Sequence, residues 1–137
     1  MSRILGVDYG GRRIGLALSD PLWIIAKPFK VIDRKKTEDY LSAILEIAKE
    51  NDVERIVVGV PLTLRGEHSQ QTEIVNKFIE ELFSVGKIRV IPIDERLSSV
   101  AAKLSLREQG VKTGHEKGRV DETAAAIILQ EYLDSQS

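Results

Sequence analysis

The apolar residues of this chain follow two periods. Four short runs have the length and flanks of strands: Ile4-Leu5-Gly6-Val7, Ile14-Gly15-Leu16-Ala17-Leu18, Ile56-Val57-Val58-Gly59-Val60 and Ile88-Arg89-Val90-Ile91-Pro92-Ile93. Each is short and bounded by Gly, Pro, Asp or Asn, the pattern of a buried strand. In the second run Ile14, Leu16 and Leu18 alternate with Gly15, Ala17 and Ser19. One face is therefore large and the other small, and the small face lets a helix pack close. Gly10-Gly11-Arg12-Arg13 is a short, glycine-bearing connection between the first two runs, which predicts an antiparallel hairpin. A further strand is expected over residues 23–32, at a sheet edge because Pro28 cannot donate to a second neighbour.

Helical spacing fills the rest. Thr37 is the expected N-cap of a helix with Leu41, Ile44, Leu45 and Ala48 on one stripe, closed by Asn51-Asp52. After a polar loop over 63–69, Ile74, Val75, Phe78, Ile79 and Leu82 mark a second helix that stops at Gly86. Ser98 or Ser99 can cap a third, carrying Ala101, Leu104 and Leu106 and ended by Gly110. Residues 111–119 read as a polar connector, and a last helix is expected from about 121 to 133.

This order, three strands followed by two β-α-β crossovers and closing helices, selects an architecture. Crossovers of that kind join parallel strands, whereas the hairpin and the third strand pair antiparallel. The prediction is an α/β domain over residues 1–137 with an RNase H-like, five-stranded mixed sheet. Its order is 3-2-1-4-5, with strand 2 antiparallel and helices on both faces. Ligands bind such sheets at the carboxyl edge of the parallel strands.

Three acids belong to that edge. Asp8 ends the first strand, Asp94-Glu95 end the fifth, and Asp121 begins the stripe Asp121, Ala124, Ala125, Ile128, Tyr132 of the last helix. Each has an ordinary explanation when taken alone. Asp8 can form a turn before Gly-Gly, Glu95 can be a solvated loop acid beside Arg96, and Asp121 can be an N-cap. Together at one edge they repel one another unless a cation holds them. Oxygen ligands without His or Cys suit Mg²⁺ or Mn²⁺, and two such ions about 4 Å apart serve in-line phosphodiester hydrolysis. Strand alternation leaves open whether Asp94 or Glu95 reaches the ions.

Composition narrows the class further. Charged residues make up 30% and hydrophobic residues 42%. Those are values of a globular protein, and 137 residues suffice for one core. There is no cysteine, which excludes disulfides and thiolate-bound zinc. No apolar stretch is long enough to span a bilayer and no signal-peptide core is evident, so the cytoplasm is expected and a membrane is not. The formal net charge of −1 gives no global case for nucleic-acid binding. The local case is stronger. Arg12 and Arg13 follow the first acid, Arg96 follows the second, and Lys112, His115, Lys117 and Arg119 precede the third. Without interleaved aromatics, such a rim predicts contacts to the phosphate backbone rather than to bases. His68 and His115 fall in expected loops, where only His115 has a use, positioning a phosphate.

The motifs Asp8-Tyr9-Gly10-Gly11-Arg12-Arg13-Ile14-Gly15-Leu16-Ala17, Val58-Gly59-Val60-Pro61 with Gly66, Asp94-Glu95-Arg96-Leu97-Ser98, and Asp121 with Ala124-Ala125-Ala126-Ile127-Ile128-Leu129-Gln130 resemble the YqgF (RuvX-type) family over nearly the whole chain. Members are bacterial proteins described as Holliday junction resolvases and as nucleases maturing pre-16S rRNA. The resemblance implies that Asp8, Glu95 and Asp121 are a metal-binding, catalytic triad and that Arg13 and Arg96 meet phosphate. Arg65 before Gly66 and Glu122 after Asp121 depart from the family pattern without removing a ligand. The expected function is a metal-dependent nuclease in pre-16S rRNA maturation during ribosome biogenesis, acting on pre-rRNA or ribosomal precursor particles. One alternative is the same chemistry on branched DNA in recombination, where paired incisions need a homodimer rather than a monomer. The other is an assembly factor that binds without cutting.

Overall fold

The structure is a computed structural model that describes residues 2–61, 69–94 and 116–136, without the side chains of 116–122. Its strands are β1 (Arg3–Tyr9), β2 (Arg13–Ser19), β3 (Ala26–Asp33), β4 (Val53–Val60) and β5 (Arg89–Asp94). The helices are α1 (Tyr40–Glu50), α2 (Gln70–Gly86) and α3 (Glu116–Ser135). The sheet order is β3-β2-β1-β4-β5, with β1–β2 and β2–β3 antiparallel and β1–β4 and β4–β5 parallel. This is the predicted topology. The third helix expected after Ser98 lies outside the described residues, as does most of the loop before α2.

Both faces of the sheet are covered. Leu5, Val7, Leu16, Ile56 and Val58 pack with Ile44 of α1 and Val75, Phe78 and Leu82 of α2. On the opposite face, Ile4, Ala17 and Val57 pack with Ala125, Ile128, Leu129 and Tyr132 of α3. Each fully buried Ile or Leu of these layers contributes about 1.5–3 kcal/mol. The small face of β2 receives α3, as its alternation requires.

Several boundaries differ from expectation. α1 is capped by Asp39, not Thr37. The Asp39 carboxylate accepts the Ser42 N–H at 3.2 Å and the Ser42 hydroxyl at 2.8 Å, which satisfies a helix-start donor that Thr37 cannot reach. β3 starts at Ala26 rather than 23. The Asp20 carboxylate captures the N–H groups of Leu22, Ile24 and Ile25 at 2.7–3.0 Å. Trp23 adopts a left-handed φ of 60°, so the chain cannot yet extend. A bulge at Phe29 shifts the β2–β3 register beside Pro28 on this edge strand. Ile74 is exposed on α2, where Thr72 takes a buried place instead and closes a capping box with Ser69. Finally, α3 begins at Glu116, so Lys117 and Arg119 lie on the helix and not on a connector.

Candidate active site

Asp8 is the penultimate residue of β1, paired with Gly15 across the hairpin. Alternation along β1 sends Leu5, Val7 and Tyr9 to the α1/α2 face and Ile4, Gly6 and Asp8 to the α3 face. Asp8 is half-buried there. On β4 the pair Val7↔Val58 puts Gly59 next in line, so Asp8 has a glycine on either flanking strand. The positions directly beside it on both strands therefore carry no side chain. Arg13 opens β2 two residues before Gly15, on the same face and diagonal to Asp8. Asp8 is not an Asx-turn former, since the N–H two residues ahead, that of Gly10, donates to the Arg13 carbonyl at 3.0 Å. A Cβ on Gly10 would stand 2.5 Å from that carbonyl oxygen, which is why this tight turn holds glycine.

Gly6 fixes how closely α3 approaches. A Cβ there would lie 2.7 Å from Leu129 Cβ and 3.0 Å from the Ala125 carbonyl. Arg55, which pairs with Ile4, donates to Tyr132, while Gly6 meets Leu129 and Ala125, so α3 runs antiparallel to β1 across it. Moving from Gly6 to Asp8 climbs two residues of strand, about 7 Å, and moving from Ala125 to residue 121 climbs one helical turn, about 6 Å, in the same direction. The backbone of Asp121 is thus carried to the level of Asp8. It lies in the second turn of a helix that starts at Glu116, which excludes the N-cap explanation for this acid. The far end of α3 is anchored by Tyr132, whose hydroxyl accepts from Arg55 at 2.9 Å, while Arg55 stacks on Trp23 at 4.7 Å. Its flank is pinned by Gln130, which accepts the Ala26 N–H at 2.8 Å and donates to the Ile24 carbonyl at 3.0 Å.

On β5, Ile91 and Ile93 pack on the α3 side and Val90 on the α1/α2 side. Asp94 shares the parity of Val90 and is exposed, so it faces away from the row that carries Asp8. Glu95, Arg96, Lys112 and His115 lie outside the described residues, as do Arg65, Gly66 and His68. The backbones of Lys117, Arg119 and Glu122 are on α3, and Arg12 is exposed at the hairpin turn. Among the described residues no three acidic or histidine side chains form a cluster.

One residue escaped sequence reasoning. Arg34, just past β3, donates its backbone N–H to the Arg12 carbonyl at 2.8 Å and Nη1 to the carbonyls of Gly10 and Gly11 at 3.0 Å each. Its guanidinium also rests 4.7 Å from the Tyr9 ring centroid and 4.9 Å from that of Tyr40. Tyr9 stacks on Phe78 at 4.0 Å and shares a 2.9 Å hydrogen bond with the Tyr40 hydroxyl. Burial, and then that bond, push the Tyr9 hydroxyl up to about 12, against the lowering effect of Arg34. This knot locks the strand end that carries Asp8 from behind. Its only sequence signal is an arginine directly after an edge strand.

Residues 2–135 match the RuvX family, described as Holliday junction resolvase. The chain belongs to that family. Relatives of the chain match it over nearly their full lengths. A protein of Chloroflexus aggregans described as "Putative pre-16S rRNA nuclease" is 45% identical over 97% of this chain and 94% of its own. Proteins with the same description in Endomicrobium trichonymphae (43%, 100% and 99% covered) and Fusobacterium nucleatum (44%, 98% and 98%) are similarly related. The RuvC structure from Thermus thermophilus in complex with Holliday junction substrate superposes with a TM-score of 0.60 at 13% identity, covering 99% of this chain and 96% of that one. The fowlpox virus Holliday junction resolvase gives 0.55 at 15%, covering 98% and 99%. The RNase H-like fold is therefore shown, and RuvX membership makes this chain a nuclease, a hydrolase of phosphodiester bonds. Nucleases of this fold generally use divalent metals. A half-buried carboxylate on a row cleared by two glycines, with an arginine diagonal to it, suits such an ion and a phosphate beside it. No helix among the described residues is long and apolar enough to cross a membrane.

Proposed function

We propose that this protein matures the end of pre-16S rRNA by metal-dependent phosphodiester hydrolysis, with Asp8, Glu95 and Asp121 as metal ligands and catalytic groups. The observation that supports the reading is the close Gly6–Ala125/Leu129 contact, which draws α3, the helix of Asp121, onto the strand of Asp8. Asp94 points to the other face, which favours Glu95 as the acid contributed from the end of β5. The donors are all carboxylate oxygens, which fit Mg²⁺ or Mn²⁺ and a pair of ions better than zinc. Bound there, such ions supply activation of a water and charge neutralisation at the leaving oxygen of an in-line displacement. The chain does the remainder. Asp8 is held rigidly by the sheet, the flanking glycines leave room for a phosphodiester, and Arg13 meets a non-bridging phosphate oxygen from the neighbouring strand. Arg12, Arg96, Lys112, Lys117 and Arg119 extend that positive rim along the substrate backbone.

The pre-rRNA substrate rests on the description shared by relatives at 43–45% identity. Parallel cleavage assays on a pre-16S rRNA end fragment and a four-way DNA junction test it, with Asp8→Asn as the control. Cleavage of the RNA is expected, and its loss in Asp8→Asn should exceed the roughly 10–100-fold that removal of a mere supporting partner costs a metal site. Cleavage of the junction alone moves the function to branched DNA. Retained cleavage by Asp8→Asn rejects the metal site, and survival of cells carrying only that variant assigns the cellular role to binding without cutting.

A further inference from the structure

On the nuclease reading above, the geometry points to a second contact surface: Lys35 and Lys36, on the turn between β3 and α1, form a phosphate track for the substrate backbone. β1 and β3 run in the same direction, so this turn shares the sheet edge to which Asp8 belongs. It is fused to the hairpin turn by the three hydrogen bonds of Arg34 to the carbonyls of Gly10, Gly11 and Arg12. It is also closed on itself. The Asp33 carboxylate accepts the Lys35 N–H at 3.0 Å, and the Asp33 carbonyl accepts those of Lys36 and Thr37 at 3.1 and 2.9 Å.

The charges on these two turns divide their work. Arg34 is spent on carbonyls and tyrosine rings, whereas Lys35 and Lys36 are exposed and pair with no acid among the described residues. Residues 10–13 and 33–36 carry five cations (Arg12, Arg13, Arg34, Lys35, Lys36) against one acid, Asp33, in a chain of net charge −1. A rigid pair of turns with that local excess concentrates polyanions at the edge despite the neutral whole. The tyrosines lie beneath Arg34, so no exposed aromatic is offered for stacking and the contact reads phosphates. Beyond Lys36 a groove of about 560 Å³ between β3 and α1 is lined by Glu46 and Glu50 as well as Lys30, which stops the track at the turn. Two strand spacings of about 4.8 Å separate β1 from β3, so a substrate strand that passes Asp8 reaches this turn about 10 Å further along the edge.

The test is the full-length Lys35→Ala/Lys36→Ala chain, with binding measured in an Asp8→Asn background so that the probe survives. The probe is a single-stranded pre-16S rRNA end fragment, and a four-way DNA junction is titrated beside it. The plot of log binding constant against log salt should become shallower by about 1.4 on single-stranded RNA, or about 1.8 on a duplex, while the cleavage rate at saturating substrate in the Asp8 background is unchanged. Lys35→Glu/Lys36→Glu should weaken binding further. A probe cut back to the cleaved bond on the one side that crosses this turn should bind wild type and double variant alike. An unchanged slope on both probes, or an equal loss on probes shortened from either side, overturns the track. Cleavage by Asp8→Asn overturns the active-site reading instead and leaves the slope result intact, so the two failures are distinct.

Discussion

Gly6→Ala is the most direct test of whether α3 positions the catalytic edge. The added methyl would sit 2.7 Å from Leu129 Cβ and 3.0 Å from the Ala125 carbonyl. Carbon contacts prefer about 3.5–4.0 Å. A Cβ and a carbonyl are fixed to the helix backbone, so no rotamer change relieves the clash. The helix must retreat by about 1 Å, and overpacking of that kind costs about 1–3 kcal/mol. At about 2.1 cal/mol/K per residue over 137 residues, each kcal/mol lowers Tm by about 3.5 °C, so a fall of about 3–10 °C is expected. The functional effect should be larger than the thermal one, because a misplacement of catalytic groups by about 1 Å can cost about 10²-fold. Calorimetry gives the first quantity. Cleavage of the pre-16S rRNA fragment, assayed well below the variant's Tm, gives the second, with magnesium titrated at each point. A variant that melts lower yet cleaves at the wild-type rate with wild-type magnesium dependence refutes the coupling of α3 to Asp8.

Other expectations rest on separate contacts. Arg34→Ala should cost about 2–4 kcal/mol through two charged hydrogen bonds and two cation–π contacts, and Arg34→Lys should rescue little because an ammonium lacks the planar fork; thermal melts of both decide. Tyr9, raised to about 12 in the folded chain against 10 when unfolded, contributes stability that is complete below pH 10 and declines as pH rises from 10 toward 12. Tyr9→Phe should flatten that decline in denaturant melts. Gln130→Ala should lower stability by about 1–2 kcal/mol by leaving the Ala26 N–H and Ile24 carbonyl without their partner, measurable by urea denaturation. Chelation of divalent cations should abolish cleavage, with recovery on adding Mg²⁺ or Mn²⁺ and not Zn²⁺.

Topology was legible because it follows from period and order, which are written locally. Two glycine-flanked apolar runs make a hairpin, and two helical stripes between apolar runs make right-handed crossovers, whatever the exact boundaries. The boundaries themselves depend on competition that composition does not resolve. Thr37 and Asp39 are both good caps, and the choice fell to the one whose carboxylate meets both the backbone and the hydroxyl of Ser42. Trp23 to Ile25 look like strand, yet Asp20 takes the N–H groups of Leu22, Ile24 and Ile25 and turns the chain. Gly118 and its charged neighbours look like a connector, but α3 extends through them. Arg34 was illegible for a different reason. Its partners Tyr9, Gly10, Gly11, Arg12 and Tyr40 come from elements on either side of it, and nothing in the order of residues announces that they converge.

The aspartates of this chain divide by what their surroundings ask of them. Asp20, Asp33 and Asp39 each serve N–H groups two to five residues ahead. The Asp20 carboxyl is held below its usual range by those bonds, first of all that of Ile25. Removing any of them would loosen a turn or a helix start. An Asx turn at Asp8 and a helix N-cap at Asp121 are not among those duties. The Gly10 N–H that an Asx turn at Asp8 would need is given to Arg13, and α3 starts five residues before Asp121. Asp8 is instead a half-buried carboxylate kept within a strand, between two glycines and facing a helix that only Gly6 allows so close. We propose that this carboxylate also serves a divalent cation shared with an acid from α3, which its position and its oxygen chemistry both fit.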